Sequence, residues 1–99
     1  MNYEIQSKVA LITGGASGIG RATALEFAKQ GVHVVIQDIE PKGAERTVDE
    51  IINLGGDACY ISGDVSSSND ASDAVKYTVT RYGQLDFAFN NAANAFNNP

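Results

Sequence analysis

The chain has 99 residues, 43% of them hydrophobic and 19% charged, a profile that fits one soluble domain burying roughly 60–70% of its unfolded surface. Seven basic against twelve acidic side chains give a net charge of −5, which argues against nucleic-acid or anionic-membrane partners, since both need a basic face. The one cysteine, Cys59, excludes an internal disulfide and suits a reducing compartment. The longest apolar runs, at residues 9–12 and 34–36, fall far short of the about 20 residues that span a bilayer. Residues 1–8 lack the basic patch and long apolar stretch of a secretory signal, so a cytoplasmic protein is expected.

Taken in chain order, residues 8–13 form a short apolar run ending at a glycine cluster, and read as a buried strand. Residues 19–30 then place Ile19, Ala22, Leu25, Phe27 and Ala28 at helical spacing, with Gly31 as the stop. Residues 32–38 are rich in β-branched side chains and end on an acid, a second strand. Pro41 suits the first turn of a helix running to about Leu54. Its expected core face is Ala44, Val48, Ile51, Ile52 and Leu54. Residues 57–62 are a third strand; Ser66, Ser67 and Ser68 offer N-caps for a helix through Tyr82. Residues 85–89 are a fourth strand. Residues 90–99 hold five asparagines without periodicity and read either as a disordered tail or as the start of a segment that folds only with further residues.

The order is thus β-α-β-α-β-α-β, with continuous apolar strands. Strands buried on both faces look like this, so the expected fold is α/β: a doubly wound parallel sheet with helices on both sides. No linker or second domain interrupts residues 1–99.

Thr13-Gly14-Gly15-Ala16-Ser17-Gly18-Ile19-Gly20 joins the first strand to the first helix. Gly14 permits a sharp exit from the strand, Gly18 lets backbone approach a pyrophosphate, and Gly20 lets helix pack against strand. Free N–H groups at the helix start, at the positive end of its dipole, complete an anion site. No lysine follows Gly20, only Arg21, so this is not a P-loop. Asp38 ends the second strand eighteen positions later, where a carboxylate can hydrogen-bond both hydroxyls of an adenosine ribose. It would repel a 2′-phosphate, and its neighbours Gln37 and Ile39 bring no cation. Ser17 in the glycine turn is neutral as well. NAD is therefore expected over NADP.

These residues resemble the short-chain dehydrogenase/reductase family. Four motifs match in order: Thr13-Gly14-x-x-x-Gly18-x-Gly20, Asp38, Asp64-Val65 after the third strand, and Asn90-Asn91-Ala92 after the fourth. The resemblance implies a partial Rossmann-like sheet of four strands in order 3-2-1-4 with three helices. It also implies a hydride-transferring oxidoreductase that interconverts an alcohol and a ketone. By the same resemblance Gly14, Ser17, Gly18, Ile19 and Gly20 hold the pyrophosphate, and Asp38 with its neighbour Ile39 meets the adenosine ribose. Asp64 and Val65 meet the adenine, Asn91 and Ala92 lie near the nicotinamide ribose, and Asn90 ties neighbouring strands. A complete member is expected to be a homo-oligomer. Ala93 departs from the family, which has glycine there.

Family chemistry needs a tyrosine whose pKa is lowered by a lysine four positions on. Tyr3, Tyr60, Tyr77 and Tyr82 are followed at that distance by Ser7, Asp64, Arg81 and Asp86, so no such pair exists here. No catalytic residue is assigned, and this chain alone is expected to be inactive. Two alternative readings are a non-catalytic NAD-binding module and a truncated, non-functional fragment. Residues 85–89, guarded only by Asp86, would leave an exposed apolar edge, which favours the fragment over the module. His33 reads as structural or edge-exposed, and Cys59 as a small buried residue without a basic companion. Glu40, Glu45, Asp49 and Glu50 read as a solvated helix face. No metal site is expected.

Overall fold

Seven elements alternate: β1 (Val9–Thr13), α1 (Gly18–Lys29), β2 (His33–Asp38), α2 (Pro41–Asn53), β3 (Ala58–Ser62), α3 (Ser68–Tyr82) and β4 (Phe87–Asn90). They belong to a computed structural model that describes residues 6–64 and 67–91. The strands form one sheet in the order β3-β2-β1-β4, and every pairing is parallel. Leu11 on β1 lies between Val35 on β2 and Ala88 on β4. Every strand therefore ends, at its carboxyl terminus, on the same side of the molecule as the glycine turn.

Alternation of side chains along the strands divides the core into two layers. Ala10, Ile12, Val34, Ile36 and Ala58 pack against Ala24 and Ala28 of α1 and Ala44, Val48 and Ile51 of α2. Leu11 and Val35 point to the opposite face, where Ala74 of α3 meets them. The alanines let α1 and α2 approach the sheet closely, which is why their core residues are almost entirely sealed. Pro41 occupies the first turn of α2, where its missing N–H costs nothing. Ser67 Oγ accepts from Asp70 N–H at 3.3 Å and caps α3. Gly83, at φ +81°, ends that helix in the left-handed conformation glycine adopts freely.

The structure corrects several expectations. Only β1 and β2 are buried on both faces; β3 and β4 lie at the sheet edges, and most of their residues are half-buried or exposed. An edge position withdraws one neighbour, and nothing in an apolar run reveals it. β4 starts at Phe87 and takes in Asn90, so Asn90 belongs to the sheet, not to a tail. On α1 the sealed residues are Gly20, Ala24 and Ala28, while Ile19 is 66% exposed. Ile52 of α2 and Leu54 at its C-cap are exposed; the buried face of α2 includes Thr47 beside Ala44, Val48 and Ile51. Asp86, exposed just before β4, also ties that strand to β1. Its Oδ2 accepts from Val9 N–H at 2.9 Å, which holds its carboxyl below the usual range, helped by Gln84.

Candidate functional site

The carboxyl ends of β1, β2 and β4 converge on the glycine turn. Gly14 leaves β1 at φ +71°, a conformation open to glycine at no steric cost, and its N–H donates to Gln37 O on β2 at 2.8 Å. Gly20 is a matter of contact distance. A Cβ there would lie 2.0 Å from Gly14 O and 3.0 Å from Asn91 Nδ2, so α1 can begin against the turn only if residue 20 has no side chain. Ser17 takes the N-cap position in extended conformation, but its hydroxyl caps nothing. The first N–H groups of α1 thus receive no capping bond from it, and they are the donors a helix start leaves unpaired. Ser17, Gly18 and Ile19 are all exposed, and no atom lies within 4 Å of where a Gly18 Cβ would stand.

Asp38 stands beside this turn. Its Oδ2 accepts from Ala16 N–H and its Oδ1 from Glu40 N–H, both at 3.0 Å. The carboxylate therefore joins the glycine turn to the β2–α2 connection while remaining half-exposed, and each oxygen keeps a lone pair for a further donor. Ile39 follows it at 70% exposure. Ile19 and Ile39 are the two most exposed large hydrophobic residues among those described, and they belong to the two segments that meet here.

On the other side of the turn, Thr13 Oγ1 donates to Asn90 Oδ1 at 2.9 Å and accepts from Asn91 N–H at 3.1 Å. Asn91 Nδ2 reaches Gly14 O at 3.4 Å. Asn90 thus ties β4 to β1, and Asn91 is fastened to the glycine turn itself. Asp64 is exposed beyond β3; its N–H donates to Asp70 Oδ2 at 2.8 Å and its carbonyl accepts from Ser67 N–H. Gly14, Ser17, Gly18, Ile19, Gly20, Asp38, Ile39 and Asn91 therefore share one end of the sheet, with Asp64 at the end of β3. Val65, Ala92 and Ala93 lie outside the described residues, as does the rest of the asparagine-rich segment.

Three contributors escaped sequence reasoning. Thr13 is the polar hub between β1 and β4. Thr47, fully buried, donates to Gly15 O at 2.9 Å; its spacing with Ala44 and Ile51 places it on the core face of α2, a signal present in the pattern. Arg21 is no phosphate clamp, since it forms a two-point ion pair with Glu50 of α2, Nε lying 2.8 Å from Oε1. Glu50 thus makes a specific ion pair while its side chain stays partly solvated.

The amino end of the sheet is different in kind. His33 Nδ1 lies 3.0 Å from Asp57 Oδ2, and the imidazole stacks on Tyr82 with ring centroids 5.1 Å apart. Cys59 is half-buried, with Tyr82 Oη 3.9 Å from its sulfur. Burial pushes the Tyr82 phenol well above its usual value, with Cys59 adding to the shift. Cys59, followed by burial, raises Tyr77 as well. Both His33 and Cys59 therefore have companions that their sequence neighbourhoods did not reveal. Among the described residues no three His, Cys, Asp or Glu converge as a metal site, and no helix is long and apolar enough to cross a membrane.

The strand order, the parallel register and a glycine turn between β1 and α1 define a partial Rossmann-like α/β fold. The chain belongs to the short-chain dehydrogenase family, whose sequence profile matches residues 8–99. It is 47% identical over 92 residues to a cyclohexanol dehydrogenase of Acinetobacter sp. (strain SE19), an alignment covering 93% of this chain and 37% of that protein. Among solved structures, a hydroxysteroid dehydrogenase from Escherichia coli superposes with a TM-score of 0.84 at 36% identity. That match covers 87% of this chain and 37% of the other. An actinorhodin polyketide ketoreductase solved with NADPH gives a TM-score of 0.82 at 35% identity, over 86% of this chain and 33% of that one. The chain thus spans about a third of the length of these relatives.

Proposed function

We propose that this chain is the NAD-binding part of an oxidoreductase that interconverts an alcohol and a ketone. The observation that carries the reading is the Asp38 carboxylate, held against Ala16 N–H beside an uncapped helix start. The residues fit a dinucleotide. Gly18 leaves open space above the turn, and the N–H groups of residues 18–20 sit at the positive end of α1. Ile19 and Ile39 offer apolar surface on either side. When bound, the nicotinamide would supply or accept the hydride.

This chain's own residues would bind and orient. Gly14, Ser17, Gly18, Ile19 and Gly20 receive the pyrophosphate, Asp38 with Ile39 the adenosine ribose, Asp64 and Val65 the adenine, and Asn91 and Ala92 the nicotinamide ribose. Negative charge at residue 38 disfavours a 2′-phosphate. Two arginines that could offset it are engaged elsewhere: Arg21 with Glu50, and Arg46 with Glu40 at 3.7 Å. No proton-transfer role is assigned to these 99 residues, among which no tyrosine has a lysine four positions on. The single chain is thus a binding unit without turnover of its own, working in the cytoplasm within a homo-oligomer when complete.

Calorimetric titration with NAD and NADP tests the reading. The expected result is NAD binding at least about tenfold tighter, a difference of about 1.4 kcal/mol, and a narrowed ratio in Asp38→Ala. No heat at millimolar NAD, or an unchanged ratio in Asp38→Ala, overturns it.

A further inference from the structure

The segment between the glycine turn and Asp38 is held from behind by α2. Gly43, Thr47 and Glu50 are spaced i, i+4, i+7 along that helix, and all three meet the β1–α1 unit. A Cβ at Gly43 would lie 2.8 Å from Ala16 Cβ, so the helix touches the turn there. Glu50 pairs with Arg21 in the first turns of α1. Between them, Thr47 Oγ1 lies 2.9 Å from Gly15 O and 3.2 Å from Gly43 O. A threonine inside a helix ordinarily bonds back to the carbonyl four residues earlier; here the shorter contact is to the turn.

We propose that Thr47 is a positioning residue for the dinucleotide site, acting through the Gly15 carbonyl. The inference rests on reading the glycine turn as the cofactor seat. Thr47 is fully buried and cannot touch a ligand. Gly15 is buried as well, so its carbonyl needs a protein partner, and an unpaired buried acceptor is costly. Without the hydroxyl, the peptide of residues 15 and 16 gains by rotating toward solvent. That rotation carries Ala16 N–H away from Asp38 Oδ2 and disturbs Ser17 and Gly18, where the anion would sit. Gly15 O and Ala16 N belong to the same peptide unit, so Thr47 and Asp38 grip it from its two ends.

Thr78 provides the control. It too is fully buried, but its hydroxyl donates only to Ala74 O, at 2.8 Å within α3. The experiment measures NAD affinity by calorimetry, and amide hydrogen exchange at Ala16 in the ligand-free chain, for wild type, Thr47→Val, Thr47→Ser and Thr78→Val. Thr47→Val should weaken NAD binding about three- to tenfold, the worth of one hydrogen bond, and speed exchange at Ala16. Thr47→Ser should restore both, and Thr78→Val should change neither while lowering thermal stability. Unchanged affinity and exchange in Thr47→Val, or no rescue by serine, overturns the proposal. Should Thr47→Val not fold, Gly43→Ala tests the same brace with the hydroxyl intact: it should weaken NAD and speed exchange at Ala16, and wild-type values overturn the brace. If wild type binds no NAD, the cofactor reading falls. The exchange rates then decide the positioning role alone, with wild-type rates in Thr47→Val rejecting it.

Discussion

The two faces of the sheet are built to different standards. On the α1/α2 face, Ala10, Ile12, Val34, Ile36, Ala24, Ala44 and Ile51 have no measurable exposure. On the α3 face the sealed apolar cluster is just Leu11, Val35 and Ala74, beside the buried polar Gln37 and Thr78, with Cys59, Ile61, Tyr77, Tyr82 and Leu85 partly covered. Val75 and Val79 of α3 stay 43% exposed, and a cleft of about 150 Å³ opens between α3 and the β1–β4 edge, lined by Leu11, Gln37, Val75 and Ala88 among others. Gln37 Oε1 is buried on that side with no partner among the described residues, although its Nε2 donates to Asp70 O at 2.9 Å. The difference teaches where the candidate site draws its rigidity. On the sealed face α2 braces the glycine turn through Thr47 and Gly43, and the start of α1 through Glu50.

Paired core truncations put the comparison at greatest risk. Ile36→Ala should cost about 3–5 kcal/mol, since a sealed cavity cannot collapse, and Leu11→Ala about 2–3 kcal/mol, since its surroundings can relax toward the cleft. Urea denaturation of both variants checks this; equal losses would erase the distinction between the faces. A smaller loss is expected from Gly20→Ala, about 1–3 kcal/mol for the forced separation of α1 from the turn. Its larger consequence should be the disappearance of NAD binding, read by calorimetry. Retained affinity would show that the turn adapts, contrary to the rigidity argued from the α2 side.

The smallest effect concerns the loose face and alkaline pH. The fold favours the neutral Tyr82 phenol, chiefly through burial, so its folded-state pKa lies above the ordinary 10.0. This contribution is complete below pH 10 and declines as pH rises, because the unfolded chain ionises first. Tyr82→Phe should therefore flatten the alkaline limb of a stability–pH curve without abolishing it, since Tyr77 is shifted in the same direction. An unaltered slope between neutral pH and pH 11 would exclude Tyr82 as a contributor.

Much of this arrangement is legible in the residue pattern. The β-α alternation, the glycine punctuation at Gly31, Gly55 and Gly83, and the four motifs lead to the observed strand order. Right-handed crossovers leave few other ways to arrange the strands. Asn90 was legible as a strand tie, and Thr13 proves to be its partner. Helix rotation was less legible. On α1, Ile19 fits a helical stripe, yet the close approach of Gly20 to the turn turns Ile19 outward. On α2, Ile52 looks like core by hydrophobicity, as does Leu54 at the C-cap, yet both are exposed, while the polar Thr47 lies on the buried face and bonds to Gly15 O.

What the residues determined by themselves is local and periodic: which segments are strands or helices, where each stops, and that a glycine turn precedes a helix with an acid at the end of the next strand. These follow from backbone sterics and from the burial of apolar stripes, which act over a few residues. Only the tertiary structure decided that Thr47 reaches Gly15, that Arg21 serves Glu50, and that His33 meets Asp57 and Tyr82. Those contacts join residues far apart in the chain. They depend on how each helix is rotated and how closely it approaches, which is set by the packing of the whole core.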